Sequence, residues 1–148
     1  MTLSVFVDTN IPIYASGTEH PLREASLNIQ RFIVDNEDSF VTDAEVLQEI
    51  LHRYLAIRRW AEGSRTLRIF SEIMLGRIEP MLAVDVEVAG ALAQSLRTLS
   101  ARDLIHLAVM RRLGVTRIVS SDQRFDGVPG IERLDPARFE EWWESVIS

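Results

Sequence analysis

Asp8 and Asp122 each follow a short apolar run, Leu3-Ser4-Val5-Phe6-Val7 and Thr116-Arg117-Ile118-Val119, which reads as a buried β-strand ending in a turn, the first bounded by Asp8-Thr9-Asn10 and then Pro12. A carboxylate at a strand's carboxyl end faces the edge of a parallel sheet where ligands gather. Glu49 and Asp103 lie instead in helical stretches among apolar neighbours, Val46, Leu47, Ile50 and Leu51 around the first, Leu104, Ile105, Leu107 and Ala108 around the second. Carboxylates that converge raise one another's pKa by like-charge repulsion, and they stay ionised together only where a cation shares the site. In a chain without cysteine, such hard oxygen donors select Mg²⁺ or Mn²⁺. Each acid also has a plain structural role. Asp8 suits a turn, Asp103 completes a helix cap opened by Ser100, and Glu49 can pair with Arg53 one turn on. Asp122 and Asp126 suit a side-chain-stabilised turn in Ser-Asp-Gln-Arg-Phe-Asp-Gly. What favours chemistry is placement, since two strand ends and two helix starts each deliver an acid.

The elements that must position these residues follow from periodicity. Residues 21–34 carry Leu22, Ala25, Ile29 and Ile33 at helical spacing, and Phe40-Val41 forms a brief second strand. Thr42-Asp43-Ala44-Glu45 has the form of a capping box, predicting a helix with Thr42 as its cap and Val46, Leu47, Ile50, Leu51, Tyr54 and Leu55 on one face. Further helices are predicted over 64–75, 86–99 and 101–112, the last opened by Ser100-Ala101-Arg102-Asp103 and stopped by Gly114. Residues 81–84 read as a third strand and 131–134 as a fifth, and Asp135-Pro136 opens a final helix carrying Trp142 and Trp143. Strands alternating with helices imply parallel crossovers and an α/β sheet covered on both faces. No repeat, low-complexity tract or linker divides the 148 residues, so one domain is expected.

Composition narrows the function. With no cysteine, disulfides, thiolate zinc sites, iron–sulfur clusters and a cysteine nucleophile are excluded together. No run approaches the ~18 apolar residues of a membrane span, and the start lacks a signal-peptide pattern, so a soluble cytoplasmic protein with no membrane role is expected. The net charge of −6 argues against a polyanionic partner, but all 16 cationic residues are arginine, whose planar fork suits phosphate. Acids gathered in one pocket leave the rest of the surface closer to neutral.

Four segments together resemble the PIN-domain ribonucleases, and among them the VapC-type toxins of toxin–antitoxin pairs. They are Val7-Asp8-Thr9-Asn10, Glu49 within Glu45-Val-Leu-Gln-Glu-Ile, Ser100-Ala-Arg-Asp103-Leu-Ile-His-Leu-Ala, and Ile118-Val-Ser-Ser-Asp122-Gln-Arg-Phe-Asp126. The resemblance spans nearly the whole chain. It implies a single PIN-like domain over 1–148, a three-layer α/β/α sandwich on a mostly parallel sheet of four to five strands. It further implies an endoribonuclease dependent on Mg²⁺ or Mn²⁺, with Asp8, Glu49, Asp103 and Asp122 as the catalytic quartet and Asp8, Asp103 and Asp122 as metal ligands. Asp126 would be an accessory acid, and Thr9, Asn10 and Ser121 would orient carboxylates. Arg102 and Arg124, which adjoin the acids in sequence, would hold the RNA backbone. A homodimer silenced by a small antitoxin is the expected assembly, with Trp60, Ile69, Phe70, Ile73 and Met74 offered as apolar surface or as core.

Two rival readings use the same residues. Glu49-x-x-His52 and Asp103-x-x-His106 repeat an acid-x-x-His spacing found in di-iron four-helix bundles, which have no place for the predicted strands. A PIN-like module that binds RNA or protein without cutting would be marked by a missing quartet acid, and all four are present. A phosphoaspartate enzyme or receiver domain usually needs a lysine, and the chain has none.

Overall fold

A computed structural model describes residues 5–17 and 19–148. The predicted first strand appears as β1 (Val5–Val7), Leu3 and Ser4 lying outside the described residues. In chain order follow α1 (Asn10–Ser16), α2 (Arg23–Asp35), β2 (Phe40–Asp43), α3 (Ala44–Ala56), α4 (Trp60–Ile73) and β3 (Ile78–Glu79). Then come α5 (Ala83–Leu92), α6 (Ala101–Leu113), β4 (Arg117–Val119), β5 (Glu132–Leu134) and α7 (Phe139–Ile147). The strands form one five-stranded sheet in the order β3-β2-β1-β4-β5, and every neighbouring pair is parallel. Chain order reverses at β1, which pairs with β2 on one side (Phe6 to Val41) and β4 on the other (Phe6 to Ile118). That reversal opens a crevice beyond the carboxyl ends of β1 and β4, so Asp8 stands at its mouth. The fold is the α/β/α sandwich expected, and its sheet leaves no room for a helical bundle.

Four local expectations are corrected. Pro12 does not end the chain's first excursion in a turn. It sits in the first turn of α1, where a missing N–H costs nothing, with Ile11, Pro12 and Ala15 buried. Thr42 does not cap α3; it belongs to β2 and its hydroxyl donates to the Val7 carbonyl at 2.9 Å, tying β2 to β1. The cap is Asp43, whose Oδ1 accepts the Val46 N–H at 2.9 Å. The third strand is Ile78–Glu79, not 81–84, because Asp85 takes the Leu82 N–H at 2.8 Å and starts α5 at Ala83. Met81, Leu82, Val84 and Val86 are exposed as a result. Finally, α4 begins at Trp60, four residues before the predicted start, and packs on α3 so closely that a Cβ on Gly63 would lie 2.3 Å from the Tyr54 Cβ.

Other signals hold. Ser100 caps α6 in a reciprocal box with Asp103, and Gly114 closes it at φ 72°. Asp135 accepts the Ala137 N–H at 2.9 Å and opens a single 3₁₀ turn that leads into α7. Phe70 and Met74 are fully buried, Trp60 and Ile73 pack against the core, and only Ile69 of that group is exposed. Among the described residues no helix is long and apolar enough to cross a membrane.

Candidate active site

Asp8, Glu49, Asp103 and Asp122 line one cavity of about 330 Å³ at the carboxyl edge of the sheet, together with Thr9 and Asn10. Three elements deliver them from different directions: the end of β1, the second turn of α3 and the cap of α6, while Asp122 follows β4. Arg53, Arg102 and Arg124 complete the charged lining. Arg53, which the sequence offered only as an ion-pair partner for Glu49, is an addition to the expected site residues; it falls one turn after Glu49, the spacing that puts both on one helical face.

Asp8 is held from several sides. Its Oδ1 accepts the Thr9 N–H at 2.8 Å, and its Oδ2 accepts from Asn10 Nδ2 at 3.1 Å and from the Ser120 hydroxyl at 2.5 Å. Asn10 also reaches β4's end, donating to Ser120 Oγ at 3.1 Å and accepting the Ser121 N–H at 3.2 Å. The hydroxyl that orients Asp8 is therefore Ser120's, and Ser121 contributes through its backbone. Burial pushes the Asp8 carboxyl up to about 6, with repulsion from Glu49 adding to it and His106, Ser120 and the Thr9 amide opposing.

Glu49 does not pair with Arg53. Its Oε1 accepts from His106 Nε2 at 2.9 Å, and His106 Nδ1 donates to Asp43 Oδ2 at 2.8 Å. His106 is fully buried, and Asp8 Oδ1 lies 3.9 Å from its Nε2. Burial disfavours the charged ring, but the charge of Asp43, its hydrogen bond, the Glu49 hydrogen bond and the field of Asp8 outweigh it and hold the imidazole well above its usual value. His52, the other histidine of the acid-x-x-His pair, is exposed and outside the cavity lining. The signal for His106 was its position one turn after Asp103; nothing local signalled Asp43.

Asp103 Oδ2 accepts the Ser100 hydroxyl at 2.9 Å and backbone N–H at 3.2 Å, so the acid is both cap and cavity wall. Arg124 Nη2 reaches Asp122 Oδ2 at 2.6 Å and Asp103 Oδ2 at 3.3 Å, and its hydrogen bonds draw the Asp122 carboxyl below its usual range. Arg102 meets Glu45 at 3.8 Å. Asp126 is not brought to the cavity. Arg133 holds it by two hydrogen bonds of 2.8 and 3.1 Å.

The donors available suit a hard dication. Glu49 Oε2 and Asp103 Oδ1 accept no hydrogen bond among the described residues, and the buried Thr9 hydroxyl has no partner among them. All are oxygens, and no sulfur competes. Among the described residues no three acidic or histidine side chains already stand close enough to enclose an ion, since Asp122 is turned toward Arg124.

The PIN domain family model matches residues 5–131. The chain belongs to the PIN-domain family. It is 39% identical over 133 residues to a VapC ribonuclease of Mycobacterium bovis, covering 88% of this chain and 98% of that one. Against ribonuclease VapC23 of Mycobacterium tuberculosis the identity is 39% over 118 residues, covering 80% and 92%. The fold matches VapBC2 of Rickettsia felis, bound to a DNA fragment from its promoter, with a TM-score of 0.69 at 17% identity, over 88% of this chain and 97% of that one. It also matches Mycobacterium tuberculosis VapC20, a sarcin-ricin loop cleaving toxin, with a TM-score of 0.61 at 21% identity, over 87% and 99%.

Proposed function

We infer that this PIN-domain protein is a VapC-type toxin, an endoribonuclease that hydrolyses RNA phosphodiester bonds with Mg²⁺ or Mn²⁺ and is silenced by a small antitoxin. The observation that carries the reading is the gathering of Asp8, Glu49, Asp103 and Asp122 on one cavity at the point where strand order reverses, in a chain 39% identical to VapC ribonucleases over most of its length. The cavity's arginines and acids suit a phosphodiester substrate rather than an apolar ligand.

In this reading Asp8, Asp103 and Asp122 hold the ion. When bound, a dication lowers the pKa of its water and neutralises charge developing on the phosphoryl oxygens. Thr9, Asn10 and Ser120 fix the Asp8 carboxylate, which keeps its oxygens aimed while the site is loaded. Glu49, anchored through Oε1, offers Oε2 as the acceptor for a proton leaving the attacking water. Arg53 and Arg102, which line the cavity, would hold the flanking RNA phosphates, and Arg124, which bridges Asp122 and Asp103, would be free to bind a phosphate if those acids held an ion. The working assembly is a homodimer in the cytoplasm, and the structures of VapBC complexes support an antitoxin partner for it.

The test is cleavage of a mixture of structured RNAs by antitoxin-free protein with Mg²⁺, Mn²⁺ or EDTA, beside Asp8→Asn. Cleavage that needs metal and vanishes in the variant is expected. Intact RNA in every metal, from folded protein, overturns the reading.

A further inference from the structure

His106 makes more contacts with acids than any role in the core requires. Asp43 Oδ2 lies 2.8 Å from one ring nitrogen, and Glu49 Oε1 lies 2.9 Å from the other, with Asp8 Oδ1 3.9 Å away. The ring face packs on Phe6, centroids 5.1 Å apart. Asp43 is itself immobile, because it is fully buried and its second oxygen caps α3 through Val46. The imidazole is thus fixed at both nitrogens and on one face, and among the described residues its one partner of any freedom is Glu49, which is partly exposed on the cavity. Glu49 and Asp8 repel each other. Left alone, the longer glutamate side chain would swing toward solvent, where Arg53 waits one turn along.

We propose that the Asp43–His106 pair is a positioning device that holds the Glu49 carboxylate beside Asp8, so that one glutamate oxygen is anchored and the other is presented to the water that a bound ion would carry. The role rests on the ribonuclease reading above. It also explains why a buried aspartate, and not the threonine before it, caps α3: one carboxylate starts the helix that carries Glu49 and orients the ring that aims it. The device spans β2, α3 and α6, so α3 and α6, which deliver Glu49 and Asp103, are registered to β2 and to one another through a single ring.

Two substitutions separate positioning from packing. Asparagine places an amide N–H where His106 has Nδ1, keeping the bond to Asp43 and losing Glu49. Glutamine places one where His106 has Nε2, keeping Glu49 and losing Asp43. His106→Asn is expected to lower kcat at least 100-fold with KM within threefold, and to weaken Mn²⁺ binding, read from the electron paramagnetic resonance signal of the free ion, at least 10-fold. His106→Gln, which keeps a donor to Glu49 without the Asp43 brace, is expected to fall between the native chain and the asparagine variant. Its kcat should be at least 10-fold above that of His106→Asn but below the native value, with Mn²⁺ binding within about threefold of native, at a thermal midpoint no higher than that of the asparagine variant. Equal losses in the two variants, or losses that follow the midpoints, overturn the proposal and leave the ribonuclease reading standing. A native chain that neither cuts RNA nor binds Mn²⁺ overturns that reading, and this role with it. A measurement on the native fold stands beside the variants. In protein labelled with ¹⁵N-histidine, the Nε2–H of His106 should shift when Mg²⁺ saturates the site, and a resonance indifferent to Mg²⁺ speaks against Glu49 linking the two.

Discussion

If Asp8 holds the ion as proposed, it is where function and stability pull in opposite directions. A carboxyl raised from 3.8 to about 6 by burial binds its proton more tightly in the folded chain than in the unfolded one. Its contribution to stability is therefore complete below the unfolded value and is lost as pH rises through about 6, a loss of roughly 3 kcal/mol by pH 7.5. Asp8→Asn removes the charge and keeps the shape. In EDTA at pH 7.5 the variant should be more stable than the native chain by about 2–3 kcal/mol in urea unfolding, while cutting no RNA; at pH 4 the difference should shrink below about 1 kcal/mol. An Asp8→Asn chain that is less stable at pH 7.5 refutes the assignment of strain to this carboxylate. The quartet itself was legible because each acid broke a local pattern: two interrupted apolar helix faces and two ended strands. Asp43, His106 and Ser120 were not legible in the same way, because their meaning lies in contacts such as Asp43 to His106, 63 residues apart, which no local window contains.

Among the elements, α3 matters most, since it carries Asp43 at its cap, Glu49 in its middle and Arg53 in its last turn. Its seating is set by α4, and the closest approach is Gly63 against Tyr54, where an added Cβ would fall 2.3 Å from that of the tyrosine. Gly63→Ala gains helix propensity of about 1 kcal/mol but forces the pair apart, and overpacking of this kind costs about 1–3 kcal/mol. A 2.3 Å approach puts the cost in the upper half of that range, about 2–3 kcal/mol. A net loss of about 1–2 kcal/mol is therefore expected in urea unfolding, with kcat falling further than stability alone accounts for because Glu49 moves with its helix. A variant as stable and as active as the native chain would show that α3 is positioned by something other than this contact. The pattern of elements was readable wherever burial imposed a period, as in α2 and α3, and wherever a cap or stop was local, as at Ser100 and Gly114, which bound the largely buried α6. It misled at 81–84, where β-rich residues are overruled by the Asp85 cap, which Arg112 holds in place from α6 with hydrogen bonds of 3.0 and 2.9 Å. It misled again at Pro12, because a proline that breaks a helix interior is harmless in a first turn.

For the whole molecule, the puzzle is how a chain of net charge −6 could act on a polyanion, as the proposed function requires. The resolution is distribution, since four of the 22 acids face one cavity while Arg53, Arg102 and Arg124 line it with them. In the proposed ribonuclease a dication bound beside these acids would cancel two of their charges, and the arginines would then dominate the field that an entering RNA meets. Binding should therefore be salt-dependent despite the acidic total. Each phosphate contact to a single strand contributes about 0.7 to the slope of log affinity against log salt, so Arg53→Ala with Arg102→Ala should flatten that slope by about 1.4. Neither arginine hydrogen-bonds to a quartet acid, which makes the pair a clean probe; Arg124, bound to Asp122, is not. At low salt KM should rise about 10-fold with kcat within about threefold, and at about 0.5 M salt the double variant and the native chain should converge, because the counterions no longer reward the contacts. The decisive measurement is KM on one RNA across a salt series in saturating Mg²⁺. Parallel slopes for the two proteins would place the RNA path elsewhere on the surface, and a fall in kcat with KM unchanged would move Arg53 or Arg102 from holding the strand to acting on the reacting phosphate.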